Sequence, residues 1–204
     1  MNWNWKNQIY VIDDIIPLEQ QETIKNYLFD GRLSWYYAAD ITDSKSQKDN
    51  PRPAMKHFWI SKGRQVSSAP TDALRPIVEN CLKTLFERTH QKANYAVDNC
   101  RSFLQFPLNN LKGSAYDAHH VDSFEEHLVF LYYVMDSDGD TVIFDNPFSF
   151  ENTERPSENM LTEKLRVSPK QGRVVIFDGF YWHTATQPRH NMRCVVNFNI
   201  HYKQ

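Results

Sequence analysis

From residue 99 to the C-terminus the chain is a succession of short runs of β-branched and aromatic residues separated by turn signals, with no helical pattern between them. The runs fall at 101–106, 127–134, 141–145, 164–167, 173–177, 182–186 and 194–202. Parallel strands need crossovers of about a dozen residues or more, usually helical, so this half cannot form a parallel α/β sheet. It predicts strands folded as a double-sheet sandwich or barrel.

The first half reads as scaffold. A short strand is expected at 8–12, then a helix entered at Pro17 with Ile24, Tyr27 and Leu28 facing inward. Residues 41–53 are polar and close with Asn50-Pro-Arg-Pro53, which predicts a flexible loop, and 55–60 reads as a strand. Leu74, Ile77, Val78, Cys81, Leu82, Leu85 and Phe86 recur at helical spacing, with Asp72 as N-cap and Pro76 in the first turn. Such a stripe buttresses a sheet. His57 and His90 read as ordinary strand and helix-end residues, and the polar stretch 148–163 is long enough for a lid or substrate loop. At 204 residues the chain is expected to be one domain, a helix-and-strand scaffold over 1–98 and a β core over 99–204.

Composition narrows the function. A net charge of -2 gives no global attraction to nucleic acid or to an anionic membrane. Three cysteines without C-x-x-C spacing argue against a disulfide framework or zinc ribbon and for a reducing, cytoplasmic setting. No apolar leader and no run long enough to span a bilayer is present in the sequence.

Chemistry concentrates in Tyr116-Asp-Ala-His-His-Val-Asp122. On an extended segment His120 and Asp122 leave the same face, being two residues apart. His183, just after the apolar run 174–177, supplies a third donor. Two imidazoles and one carboxylate are the facial set expected of a non-haem Fe(II) oxygenase. His119 is the rival to His120, but on a strand it would face away from Asp122. An H-x-D alone is a common accident, and a solvated Asp turn with a surface histidine would explain those three letters.

The order of the downstream segments is more specific. His120-Val-Asp122, Leu131-Tyr-Tyr-Val134, Asp138-Gly-Asp-Thr141, Gly172-Arg-Val-Val-Ile-Phe-Asp178, His183 and Arg193-Cys-Val-Val-Asn-Phe198 are collinear. Over residues 100–202 the chain thereby resembles the Fe(II)/2-oxoglutarate-dependent oxygenases of the prolyl 4-hydroxylase type, in particular the small single-domain ones of bacteria and tailed phages. The resemblance implies a mainly β fold with flanking α, a double-stranded β-helix (the cupin-like jelly roll) with N-terminal helices packed on one sheet. It implies Fe(II) on His120, Asp122 and His183, with 2-oxoglutarate and O2 as co-reactants and ascorbate as an accessory reductant. Arg193 would meet the distal carboxylate of 2-oxoglutarate, Tyr133 would donate its hydroxyl to the same group, and Leu131 would line the pocket. Strand alternation puts Arg193, Val195 and Asn197 on one face, where Asn197 could touch the cosubstrate or a metal-bound water. Arg189, beside Pro188, reads as the solvent-exposed arginine of that stretch.

Two positions depart from the family pattern. Asp138-Gly-Asp-Thr141 stands where many relatives carry a double glycine, and the strand before H-x-D lacks a tyrosine for the C1 side of the cosubstrate. Tyr116 is expected to substitute from the loop. The implied activity is hydroxylation of an unactivated C–H bond, of a prolyl residue in a peptide or protein or of a small molecule, coupled to conversion of 2-oxoglutarate to succinate. The site would be cytoplasmic, in the host cell if phage-encoded, with no membrane partner and charge weighing against nucleic acid. Two other classes use similar residues: a cupin-like binding module that lacks turnover, and a zinc hydrolase, which would give Arg193 no anion to meet.

Overall fold

The computed structural model describes residues 8–41, 51–87, 94–109, 111, 114, 116–151 and 153–203. In chain order the elements are β1 (Tyr10–Ile12), α1 (Leu18–Phe29), β2 (Tyr36–Ala38), β3 (Ala54–Ser61), β4 (Arg64–Gln65), α2 (Arg75–Glu87), β5 (Asn94–Gln105), β6 (Leu128–Tyr133), β7 (Thr141–Pro147), β8 (Glu163–Val167), β9 (Val174–Asp178), β10 (Tyr181–Ala185) and β11 (Arg193–Lys203). Two sheets form. The larger runs β1-β9-β6-β11-β5-β3-β2, with β4 on β3, and the smaller runs β10-β7-β8. The pairings are antiparallel. This is a double-stranded β-helix, mainly β with flanking helices.

Strand alternation divides the core. Every residue of β6 is buried, and successive ones enter different clusters. Leu128, Phe130 and Tyr132 pack with Ile24, Leu28, Ile77, Cys81 and Leu85 of the two helices. Val129, Leu131 and Tyr133 face the other way, with Ile143, Val175, Phe177 and Val195 between the sheets. On β11, Cys194, Val196 and Phe198 join the helical side while Val195 turns inward. Complete burial of one such side chain stabilises the fold by about 1.5–3 kcal/mol, so a one-residue slip of β6 or β11 would exchange two cores at once.

The scaffold and the β core share one sheet. β5 starts at Asn94 and runs through the boundary expected at 98/99, and β3 pairs with it from Ala54 to Ile60. Asp72 does not cap the helix; it opens a 3-10 turn, Asp72–Leu74, that leads into α2, and Pro76 falls in the first helical turn where its missing N–H costs nothing. β2 and β4, at three and two residues, are too short to carry a two-residue period and do not stand out in the sequence. Of the loop expected at 41–53, residues 42–50 lie outside the described residues, as does His90; at its ends Ile41 N–H donates to the Arg52 carbonyl at 3.0 Å. Residues 148–151 and 153–162 are irregular apart from a 3-10 turn, Glu158–Met160.

Candidate metal centre

The segment before Asp122 is not a full strand. It lies beside β10 through two isolated bridges, Tyr116 with Thr186 and His120 with His183. His120 and His183 exchange both backbone bonds, at 2.9 and 3.0 Å, so the two imidazoles leave neighbouring chains side by side, ring centroids 4.6 Å apart. Asp122 arrives two residues later between them. Its Oδ1 is 3.6 Å from His120 Nε2 and its Oδ2 is 4.0 Å from His183 Nε2. One donor atom from each residue lies within 4.8 Å of the others, the only such group among the described residues.

Each donor is oriented by a second contact. His120 Nδ1 lies 3.1 Å from the Ala118 carbonyl and His183 Nδ1 lies 3.0 Å from that of Tyr181. A carbonyl only accepts, so Nδ1 carries the proton and Nε2 keeps its lone pair for a cation. Burial, aided by His120, pulls His183 down to about 4 against the opposing charge of Asp122, which keeps the ring neutral near pH 7. Asp122 Oδ2 accepts from Asn197 and Asn199, both at 2.8 Å, and Oδ1 faces Arg101 Nη2 at 3.2 Å. Burial alone would raise the Asp122 pKa, but Arg101 and the two histidines outweigh it and hold the carboxyl well below its usual range. Neutral Nε2 atoms beside an ionised carboxylate fit a divalent cation such as Fe(II).

The site opens into a pocket of about 380 Å³. Val129, Leu131, Phe177 and Val195 line it together with His120, Asp122, His183 and Arg193. Arg193 is 4% exposed. Its Nε donates to the Gly139 carbonyl at 2.9 Å, Nη1 to Gln105 Oε1 at 2.9 Å and Nη2 to Thr141 Oγ1 at 2.8 Å. All three acceptors are neutral, and burial presses the guanidinium pKa below its ordinary value. Among the described residues Arg193 has no ion pair. Asp117 comes no nearer than through Gln105: Gln105 Nε2 reaches Asp117 Oδ2 at 2.8 Å, while Asp117 Oδ1 is held by buried Arg52 Nη1 at 2.9 Å. A buried cation with neutral partners only, at the end of a cavity, calls for an anionic ligand.

The altered turn at Asp138-Gly-Asp-Thr141 belongs to this cradle. The Asp138 carboxylate accepts from the backbone N–H of Arg189, His190 and Asn191, shaping the approach to β11. A Cβ on Gly139 would stand 2.8 Å from the Thr186 carbonyl and 3.0 Å from Arg193 Cδ, so the close approach requires glycine.

His120, Asp122, His183, Leu131, Asn197 and Arg193 thus meet around one cavity, with Asn197 bound to Asp122. Tyr133 stands behind the wall, its ring 6.0 Å from the Arg193 guanidinium. Its hydroxyl is buried without a well-formed hydrogen bond, and burial pushes its pKa up to about 12 against the pull of Arg193 and Thr141. Tyr116 is the correction. Its hydroxyl bonds Glu163 and accepts from Arg166 Nη2 at 3.2 Å, and its ring meets Phe144, so it is turned away from the pocket. The segment keeps no two-residue alternation, and Asp117 lines the cavity instead. His119 also faces out, against Phe144 and Trp182, with Nε2 2.7 Å from the Pro156 carbonyl. Arg189 is exposed. Sequence reasoning missed Arg52, Arg101, Gln105, Asp117, Thr141 and Asn199. Asn199 could have been found two places beyond Asn197 on the same face, and Gln105 directly opposite Arg193 once the strand register was known.

No family model matches the sequence, and no curated protein matches it either. Solved structures do. The viral collagen prolyl hydroxylase of Paramecium bursaria Chlorella virus-1, solved with 2-oxoglutarate, is 12% identical, with 96% of this chain and 97% of that chain covered and a TM-score of 0.55. The prolyl hydroxylase of Trichoplax adhaerens, solved with a hypoxia-inducible-factor peptide, is 14% identical, with coverages of 95% and 83% and a TM-score of 0.55. The epimerase SnoN, solved with Fe3+, α-ketoglutarate and a nogalamycin compound, is 11% identical, with coverages of 96% and 79% and a TM-score of 0.60. At such identities the likeness is one of fold: this chain has the double-stranded β-helix of the 2-oxoglutarate–Fe(II) oxygenases, prolyl 4-hydroxylases among them.

Proposed function

We propose that the chain is an Fe(II)/2-oxoglutarate-dependent oxygenase that hydroxylates an unactivated C–H bond. The observation that carries this reading is the pairing of a two-histidine, one-carboxylate cluster with a buried, carboxylate-free Arg193 across one pocket. A zinc hydrolase has no use for the second, and a binding module that has lost turnover would be expected to lack a metal ligand or the arginine. His120, Asp122 and His183 would hold the metal from one face, leaving the positions opposite them to the ligand. Asn197 and Asn199 fix Asp122, and the two backbone carbonyls fix the imidazoles. Arg193 would receive the distal carboxylate of 2-oxoglutarate, with Thr141 beside it and the Tyr133 hydroxyl close behind. Its fork suits a planar carboxylate better than an ammonium would. When bound, Fe(II) and 2-oxoglutarate supply with O2 the oxidising power for the insertion, the cosubstrate leaving as succinate and carbon dioxide.

Relatives by fold act on prolyl residues and on a small natural product, which supports a prolyl group, peptide-borne or free, as the substrate to try first. A reducing compartment suits the three cysteines, all free and buried. No described helix is long and apolar enough to cross a membrane. Loop 148–163, whose Pro156 carbonyl lies 2.7 Å from Nε2 of His119, the neighbour of His120 in the chain, is the candidate cover for bound substrate. The test is anaerobic addition of Fe(II) and 2-oxoglutarate. A weak visible charge-transfer band is expected when the cosubstrate chelates iron, and its absence would return the chain to the binding-module or hydrolase classes.

A further inference from the structure

Arg101 holds Asp122 and repels what Asp122 would hold. β5 sets it directly opposite Asn197 of β11, and it lines the pocket with His120, Asp122 and His183. Its Nη2 donates to Asp122 Oδ1 at 3.2 Å and to Asn199 Oδ1 at 3.0 Å. Asn199 in turn donates from Nδ2 to Asp122 Oδ2 at 2.8 Å. Guanidinium, amide and carboxylate thus close a ring of three, and its amide is fully buried. Such a ring fixes the carboxylate plane. Neutral donors can do that too, as Asn197 does on the same Oδ2 at 2.8 Å. What Arg101 adds is a positive charge.

That charge stays at the site. Among the described residues Asp122 is the only carboxylate that pairs with Arg101. A metal that draws on Asp122 therefore leaves the guanidinium no second anion to turn to. The Arg101 side chain is only 25% exposed, its Nε is buried without an acceptor, and its Cζ lies 5.7 Å from the Phe103 ring centre. With Asn199 holding Nη2, the group is fixed beside the metal donors. Repulsion between charges that are close and partly shielded from water is strong, and it grows in proportion to the charge on the metal. A trivalent ion is opposed half as much again as a divalent one.

We propose that Arg101 is a positioning residue that sets the charge the metal centre tolerates: it keeps Asp122 in its ligating pose, opposes each added positive charge, and so biases bound iron toward Fe(II). This rests on the oxygenase reading above, whose chemistry starts from the reduced ion. The oxidation that Arg101 opposes is the loss of one electron from Fe(II) to give Fe(III), the electron passing to an added acceptor. The same repulsion lowers the affinity for any divalent metal, so the bias toward Fe(II) comes with a weaker hold. A residue that only oriented Asp122 would have the opposite effect on affinity, since loss of an orienting partner loosens a metal by about 10–100-fold.

Metal affinity and redox potential test this without turnover. Mn(II) is titrated into the full chain and followed by its paramagnetic resonance signal; the iron-loaded chain is poised against redox mediators and followed by the Fe(III) signal. Arg101→Met and Arg101→Gln remove the charge, and Arg101→Lys keeps it. Arg101→Gln, which can still donate to Asn199, covers the case in which Arg101→Met does not fold. The neutral variants are expected to bind Mn(II) at least about tenfold tighter than the parent, and Arg101→Lys about as the parent does. One further charge on the metal adds half of that effect, roughly threefold, so the neutral variants should lower the one-electron potential by about 30 mV or more. Asn199→Ala, which loosens Asp122 and keeps the charge, should bind Mn(II) more weakly. Unchanged or weaker Mn(II) binding in a neutral variant, an unchanged or higher potential, or equal tightening in Arg101→Lys would overturn the proposal. Absence of any Mn(II) binding by the parent chain would instead sink the oxygenase reading, so the two failures are distinguishable.

Discussion

The two ends of the pocket are built on opposite plans. At the metal end the carboxylate of Asp122 is already surrounded by donors, Asn197, Asn199 and Arg101, and each imidazole is held by a carbonyl two residues before it. At the other end buried Arg193 has neutral acceptors only. Burying a charge without a counter-charge costs several kcal/mol even after relaxation. The metal end is thus close to electrostatically complete without its ligand, and the Arg193 end is not. An arrangement chosen for stability would have paired Arg193 with Asp117; Gln105 stands between them.

Substitutions should therefore separate the ends. The largest effect is expected at the metal end. Asp122→Ala or His183→Ala should abolish metal-dependent decarboxylation of 2-oxoglutarate while circular dichroism reports an intact fold, and His119→Ala should keep most activity. An inactive His119→Ala with an active His120→Ala would mean that the wrong histidine faces the metal.

Next comes the anion end. Arg193→Ala removes a charge-assisted bond worth about 1.5–3 kcal/mol and strands its partner, so 2-oxoglutarate affinity should fall at least about tenfold, toward a hundredfold or beyond. Metal affinity should hardly change. Arg193→Lys should fall between, and Arg189→Ala, at an exposed position, should bind like the parent. Loss of binding in Arg189→Ala with retention in Arg193→Ala would relocate the site.

The ends should also differ in pH response. His183 in the folded chain titrates at about 4, below its usual 6.5. Between those values the unfolded chain carries the proton and the folded chain does not. Stability of the metal-free protein should therefore rise with pH through that window and level off above it, by an amount on the order of 3 kcal/mol. Urea unfolding across the window checks this, and His183→Gln should flatten the rise. Smallest of the set is Gly139→Ala. Its new methyl pushes on Arg193 and the Thr186 carbonyl, and should weaken 2-oxoglutarate by roughly tenfold or less with the metal site untouched.

The contrast also explains which features were legible. The clustering of His120, Asp122 and His183 and the inward turn of Arg193 were legible because each lies in or beside a local pattern: H-x-D, an apolar strand followed by His183, and a strand whose alternation turns Arg193 inward. Most strands of the larger sheet were legible for the same reason, the short β2 and β4 excepted. Tyr116 was expected to reach the cosubstrate from the loop, and its hydroxyl is instead taken by Glu163 and Arg166, partners 47 and 50 positions away that no local pattern reveals. Arg52, Gln105 and Asp117 were invisible because their contacts join residues 12 to 88 positions apart, across irregular chain or between strands, and no local period encodes such a meeting. The turn at Asp138-Gly-Asp-Thr141 was noticed as a departure, but its service to Arg193 emerges only when β11 is laid beside Gly139.

The central claim is that one molecule spans both ends. Calorimetric titration of 2-oxoglutarate into the protein with and without Mn(II) tests it most directly. If the metal and Arg193 hold opposite ends of the same ligand, Mn(II) should tighten 2-oxoglutarate by at least about tenfold, and 2-oxoglutarate should tighten Mn(II) by the same factor. Binding of 2-oxoglutarate with equal affinity in the presence and absence of Mn(II) would contradict it.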